Sequence, residues 1–153
     1  MIRKPVVAGS FYPDNPDELE QMIQNCFTHR FGPNSNPPKQ SIERIFGVIC
    51  PHAGYMYSGP IASHSYYEIS SQEFDLAIII GPNHLAIGSK IATMSDAKWQ
   101  TPLGISEVDS ESSNELLTIA DNIEQDYFSH SKDHSLEVQI PFLQEIFPNN
   151  LKI

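Results

Sequence analysis

Basic residues are scarce: nine Lys and Arg stand against nineteen Asp and Glu in 153 residues, a formal net charge of −10. Nucleic-acid binding rests on clustered Lys and Arg facing phosphate, and the basic residues here are scattered, so nucleic acid is not an expected partner. Cysteine is nearly absent. Cys26 and Cys50 are too few for a disulfide framework and suit a reducing compartment. Long apolar runs are missing too: Leu76 to Ile80 falls far short of the ~20 residues a membrane span needs, so no membrane partner is expected. The opening "MIRKPVVAGSFYP" has two basic residues but no sustained apolar stretch after them, so it reads as no signal peptide, and a soluble cytoplasmic protein is expected. There is no repeat of fixed period, no G-x-S-x-G elbow, no Walker loop and no CxxC pair.

What is present is a globular composition, 40% hydrophobic and 18% charged, with room for a single domain over residues 1–153. "DNPDELEQMIQNCFTHRF" reads as a helix with Asp14 or Asn15 as cap, Pro16 in first position and a stripe of Leu19, Met22, Ile23, Cys26 and Phe27. Gly32 to Ser41 reads as a loop. "RIFGVIC" and "DLAIIIG" read as buried strands with the helix "PIASHSYYEIS" between them, and "KIATMS" as a third strand. "SESSNELLTIADNI" is helical, with Ser110 or Ser112 as cap. In "KDHSLEVQIPFLQEIF", Pro141 should kink the helix or set its first turn. Strand, helix, strand at this spacing is a βαβ unit, and continuous apolar strands belong to a sheet covered on both faces. The expected fold is α/β, a three-layer α/β/α sandwich with a mostly parallel sheet.

Two histidines occupy matching places. "VICPHAGYMYSG" puts His52 just past the first strand, and "LAIIIGPNHLAIG" puts His84 just past the second. Parallel strands joined by one crossover point the same way, so both imidazoles emerge at one carboxyl edge, where open α/β sheets place ligands. Strand neighbours lie ~4.8 Å apart, close enough for both to reach one ion. Pro51 and Pro82 stiffen the two exits. Two neutral imidazoles suit Zn, Fe, Cu or Ni better than Mg or Ca. The alternative is a pair of ordinary loop histidines.

"RKPVVAGSFYP", "PHAGYMYSG", "GPNH", "WQTPLG" with "VD" following, and "DHSLEVQIPFL" occur in that order, and the chain resembles the Memo family over nearly its whole length. Memo proteins are similar to the catalytic subunits of class III extradiol dioxygenases, so the resemblance implies a dioxygenase-like α/β fold and a metal pocket lined by His52 and His84. It implies a divalent metal, Fe(II) foremost, with Zn or Cu as alternatives. Family members run to nearly twice this length, and their second half carries the remaining pocket residues, an Asp and a His in one motif and a Cys in another. This chain therefore looks like the N-terminal half, ending in "NNLKI" as a strand begins. Where the family commonly has "EHS", this sequence has Asp133, His134 and Ser135.

His134 is the candidate catalytic residue, a polarising or outer partner of the ion. If a third ligand lies within the chain, His134 is its first candidate; with only two ligands, affinity should be weak. The alternative is local hydrogen bonding in a helical turn. Tyr12 and Tyr55 are candidate pocket-lining residues, with packing as the alternative. Tyr57 is a further pocket-lining candidate with packing as the alternative, Cys50 is expected to pack, and Glu137 is expected to be solvated or capping. His29, His64 and His130 have no supporting context. The expected function is a Memo-type metal pocket, with non-haem-iron oxidoreductase chemistry unproven and a small molecule or peptide as occupant. A non-catalytic peptide- or protein-binding module is the rival. A metal-dependent hydrolase would need Glu137 or Asp109 as base. Either self-association through an edge near Leu151 to Ile153 or marginal stability is also expected.

Overall fold

The computed structural model describes residues 1–38, 44–147 and 151–153. In chain order the elements are β1 (Ile2–Arg3), α1 (Pro16–Thr28), α2 (Tyr55–Ile69), β2 (Ala92–Thr93), β3 (Lys98–Thr101), β4 (Gly104–Glu107), α3 (Ser110–Ile119), β5 (Glu124–Gln125) and α4 (Tyr127–His130). A 3₁₀ turn, Glu137–Gln139, leads into α5 (Ile140–Ile146). The expected loop beyond Pro38, through Ser41, lies outside the described residues.

Asn15 opens α1, its side chain accepting the Glu18 N–H at 3.1 Å, and Pro16 takes the first helical position, where no N–H is needed. Leu19, Ile23, Cys26 and Phe27 form its buried stripe. α2 starts at Tyr55, ahead of the expected Pro60, because its buried stripe of Tyr55, Gly59, Ala62, Ser63, Tyr66 and Ile69 begins there. The two helices cross closely. A Cβ on Gly59 would lie 2.6 Å from Cys26 Sγ, and Ser63 Oγ donates to the Cys26 carbonyl at 3.0 Å. Pro141 sits in the first turn of α5, where it costs no helical bond. Phe142 follows it into the core, stacked by Tyr66 at 4.6 Å and met edge-on by Phe27 at 5.9 Å. Asp109, not Ser110 or Ser112, caps α3, accepting the Ser112 N–H at 2.9 Å.

The fold is α/β, but its sheets are small. β1 pairs parallel with β3, and β3 antiparallel with β4, giving a mixed sheet; β2 and β5 form a separate parallel pair. Met94, Ala97, Trp99 and Ile140 make a second core beside the mixed sheet. The two strands expected at residues 44–50 and 75–81 are not ladder strands among the described residues. Leu76 alone makes an isolated parallel bridge, to Lys152. Ile45, Cys50, Ala77 and Ile79 pack toward the core, while Phe46, Ile49, Ile78 and Ile80 are 87, 95, 80 and 91% exposed. The reading of these runs as buried is corrected: a continuous apolar run asks for cover on both faces, and the described residues cover one.

Candidate metal centre

Three loops converge on one point. His52 lies in the turn entering α2, where the Tyr55 N–H donates to the Phe11 carbonyl at 2.7 Å and fastens the N-terminal loop to this turn. Behind it, Gln139 Nε2 donates to the Pro51 carbonyl at 3.2 Å. His84 lies in a second turn, tied by Asn83 Nδ2 donating to the Ile87 carbonyl at 2.8 Å. A Cβ on Gly81 would stand 2.7 Å from Ser135 Oγ and 2.8 Å from Leu136 Cδ2, so glycine lets this turn seat on the segment that carries His134.

The rings of His52 and His84 are 5.1 Å apart, those of His52 and His134 5.9 Å, and those of His84 and His134 4.7 Å and nearly parallel. One nitrogen from each of the three lies within 4.8 Å of the other two. Ligands at about 2.1 Å from one ion are separated by no more than about 4.2 Å, so a small inward rotation would let all three share an ion. His84 is the most exposed of the three.

Asp133 organises the cluster from behind. Its Oδ2 accepts the His84 backbone N–H at 2.8 Å and lies 3.0 Å from His84 Nδ1. Its Oδ1 accepts the Ser135 N–H at 2.8 Å and the Ser135 hydroxyl at 2.6 Å. Burial disfavours the charged carboxylate, but these bonds from Ser135 and His84 outweigh it and hold the group well below the usual carboxylate range. A carboxylate on Nδ1 leaves the Nε2 lone pair of His84 free and makes it a better donor, the usual outer arrangement of a metal-bound histidine. Burial, then the neighbouring His84, lowers the pKa of His134, favouring the neutral imidazole a metal requires. The residues present fit a transition-metal ion.

The other candidates fall elsewhere. Tyr12 and Tyr55 are buried, and burial raises both phenols above their ordinary value. Their hydroxyls donate to Glu137 Oε1 at 2.6 Å and to the Val138 carbonyl at 2.7 Å. It is Phe11, beside Tyr12, that reaches the cluster, its ring 4.7 Å from that of His134. Glu137 is not solvated but 0% exposed, paired with Arg3; its partners lie so far back in the chain that no local pattern announces them. Asp109 caps α3 and pairs with Lys152 at 2.8 Å. Neither candidate base is left free for the hydrolase reading. Tyr57 is exposed, not packed, and Cys50 is half-buried against the core. His29 and His64 bond the Phe31 backbone, and His130 sits edge-on to Trp99.

Asp133 and Phe11 are the members of the site that no metal-ligand motif marks. A carboxylate directly preceding His134, and an aromatic residue directly preceding Tyr12, were the available signals.

The family model described as Memo-like protein matches residues 3–153. A MEMO1 family protein of Nitrosopumilus maritimus is 57% identical over 153 residues, covering 100% of this chain and 55% of that protein. One from Methanocaldococcus jannaschii is 47% identical over 149 residues, 95% of this chain and 52% of the relative. One from Methanobrevibacter smithii is 46% identical over 157 residues, again 55% of its length. The chain thus spans about half the length of the curated relatives it matches. With one family model running from β1 to the last described residue, and relatives of this closeness along the whole chain, the protein belongs to the Memo family.

Proposed function

We propose that the chain forms a metal centre in which His52, His84 and His134 hold one divalent transition-metal ion. The observation that carries this is the convergence of three imidazoles within 4.8 Å, one of them backed by a buried carboxylate. Three neutral nitrogen donors select Fe, Zn or Cu over Mg or Ca, with Fe(II) the foremost candidate. In the ring-cleaving dioxygenases, two histidines and a carboxylate bind the iron; here the carboxylate of Asp133 stands one position back, on His84. The bound ion would supply Lewis acidity or, as iron, dioxygen chemistry. The chain's own residues would hold it, fix the His84 tautomer through Asp133 and shield one side with Phe11.

The three-layer sandwich belongs to the same proposal, reached when the apolar runs at 44–50 and 75–81 gain cover on their second face. No helix of the described residues is long and apolar enough to cross a membrane, and a cytoplasmic setting fits two free cysteines.

The test is metal analysis of protein loaded with Fe(II), Zn or Cu and then desalted, followed by O₂ uptake on a panel of aromatic diols. One retained equivalent, lost in His84→Ala, supports the centre; no retained metal overturns it. O₂ uptake would extend the reading to an oxidoreductase. A non-catalytic peptide-binding module is favoured by one observation: Met56 and Tyr57, in the first turn of α2 after His52, are 73 and 79% exposed. Binding of an apolar peptide without O₂ uptake would select it.

A further inference from the structure

Among the described residues, the Glu137 carboxylate bonds Arg3 and the N-terminal loop that carries Phe11. Oε2 takes the Arg3 guanidinium. Oε1 accepts from the Tyr12 hydroxyl at 2.6 Å and from the Val7 N–H at 3.1 Å, and the Val6 N–H reaches the two oxygens at 3.1 and 3.0 Å. Arg3 lies over the Trp99 ring at 4.5 Å and spends further donors on the carbonyls of Asp133, at 2.7 Å, and His130, at 3.2 Å. The backbone just before His134 is thus held by Arg3. The next turn is held by Glu137, whose neighbour Val138 donates its N–H to the His134 carbonyl at 3.1 Å. Through Val6, Val7 and Tyr12 the same carboxylate holds the loop that lays Phe11 against the His134 ring.

We propose that the buried Arg3–Glu137 pair is a positioning device for His134, fixing both the segment that carries it and the loop that packs on it. Buried ion pairs are often replaceable by apolar groups at no cost to stability. This pair has a reason to persist that an apolar pair could not supply: a guanidinium fork offers donors in several directions, and a carboxylate takes several N–H and O–H groups at once. The inference rests on the metal-centre reading for its purpose, but its geometry can be tested without metal.

In metal-free protein, NMR should show the His134 ring protons displaced by the Phe11 ring current, with Phe11→Ala marking the unstacked position. Glu137→Gln and Arg3→Lys should move those signals toward that mark while the fold stays cooperative. Tyr12→Phe, which removes a single bond, should move them part of the way and serves if the other variants do not fold. With Co(II) as probe, Glu137→Gln should weaken binding 10- to 100-fold, the range for lost outer support, with a change in the visible ligand-field spectrum. Adding His134→Ala to Glu137→Gln should then cost less than His134→Ala costs alone, since coupled residues are non-additive. Unmoved ring signals in the folded variants overturn the proposal, as does wild-type Co(II) affinity in Glu137→Gln or an additive loss with His134→Ala. Absence of Co(II) binding by the wild type would overturn the metal reading, and the metal-free spectra would still decide the positioning.

Discussion

Around His134, the charged and amide side chains of Asp133, Glu137 and Gln139 are buried and partnered. Along residues 44–50 and 75–81, large aliphatic and aromatic side chains stand in solvent. The two regions reverse the usual order of inside and outside. The lesson is that burial follows partners, not residue type. A carboxylate can go to the interior when an arginine, a phenol and backbone N–H groups wait for it. An isoleucine stays outside when only one face of its segment has a neighbour.

The sharpest test of that contrast is to remove one charge from the polar corner. Arg3→Ala leaves Glu137 buried and unpaired, and should cost about 3–5 kcal/mol, a large share of a total near 5–15 kcal/mol. Urea unfolding measures it, and a loss under 1 kcal/mol would mean that Glu137 finds water there.

Next in size is a pair of apolar truncations. Phe142→Ala, in the aromatic cluster, should cost about 3–5 kcal/mol, whereas Ile80→Ala should fall within about 0.5 kcal/mol of wild type. Equal losses in thermal melts would show that the 75–81 segment is covered after all.

Asp133→Asn addresses the metal centre. Loss of the carboxylate behind His84 should weaken metal binding 10- to 100-fold, about 1.4–2.7 kcal/mol, measured by competition with a chelator. Unchanged affinity would separate the carboxylate from the ion.

Self-association comes fourth. Leu151 and Ile153 pack against the core, and Ile153 exchanges backbone bonds with Glu107 and Asp109 at 3.0 and 2.8 Å, so the bare surface lies along 44–50 and 75–81 instead. If copies of the chain meet, they should meet there. Replacing Ile78 and Ile80 together by Asp should lower the association constant in light scattering at least ~10-fold, on the scale of a buried apolar pair.

The smallest effect is electrostatic. Asp126 titrates at about 2, held down first by the Ser89 N–H and then by Ser129 and Phe128. Its folded pKa lies below the unfolded value near 3.9, so its contribution is complete above about pH 4 and fades as the pH falls toward 2. Asp126→Asn should flatten stability in that window alone, which acid titrations followed by circular dichroism can resolve.

Legibility in the sequence tracked the range of the causes. α1 was readable because its cap, its proline and its stripe lie within thirteen consecutive residues. The turn at Pro141 was readable for the same reason. The two histidines were placed through a local figure, apolar run then Pro-His or Gly-Pro-Asn-His. The burial of Glu137 is not legible locally because Arg3, Val6, Val7 and Tyr12 precede it by more than a hundred residues. Asp133 went unnoticed as an organiser because its partner His84 sits on a different loop. The apolar runs misled in the opposite sense: their pattern records that both faces need cover, and local sequence cannot say whether cover is at hand.

The ion pair between Arg3 and Glu137 spans 134 positions. On a ribosome adding ~5–20 residues per second, the arginine waits, solvated and unmatched, until almost all of this chain has been made. Closing so wide a loop is an entropic expense that only late contacts recover, so the corner that holds His134 should assemble last. Conservative substitutions at Glu137 should therefore leave refolding rates alone and hasten unfolding, and a chevron plot reads both limbs directly.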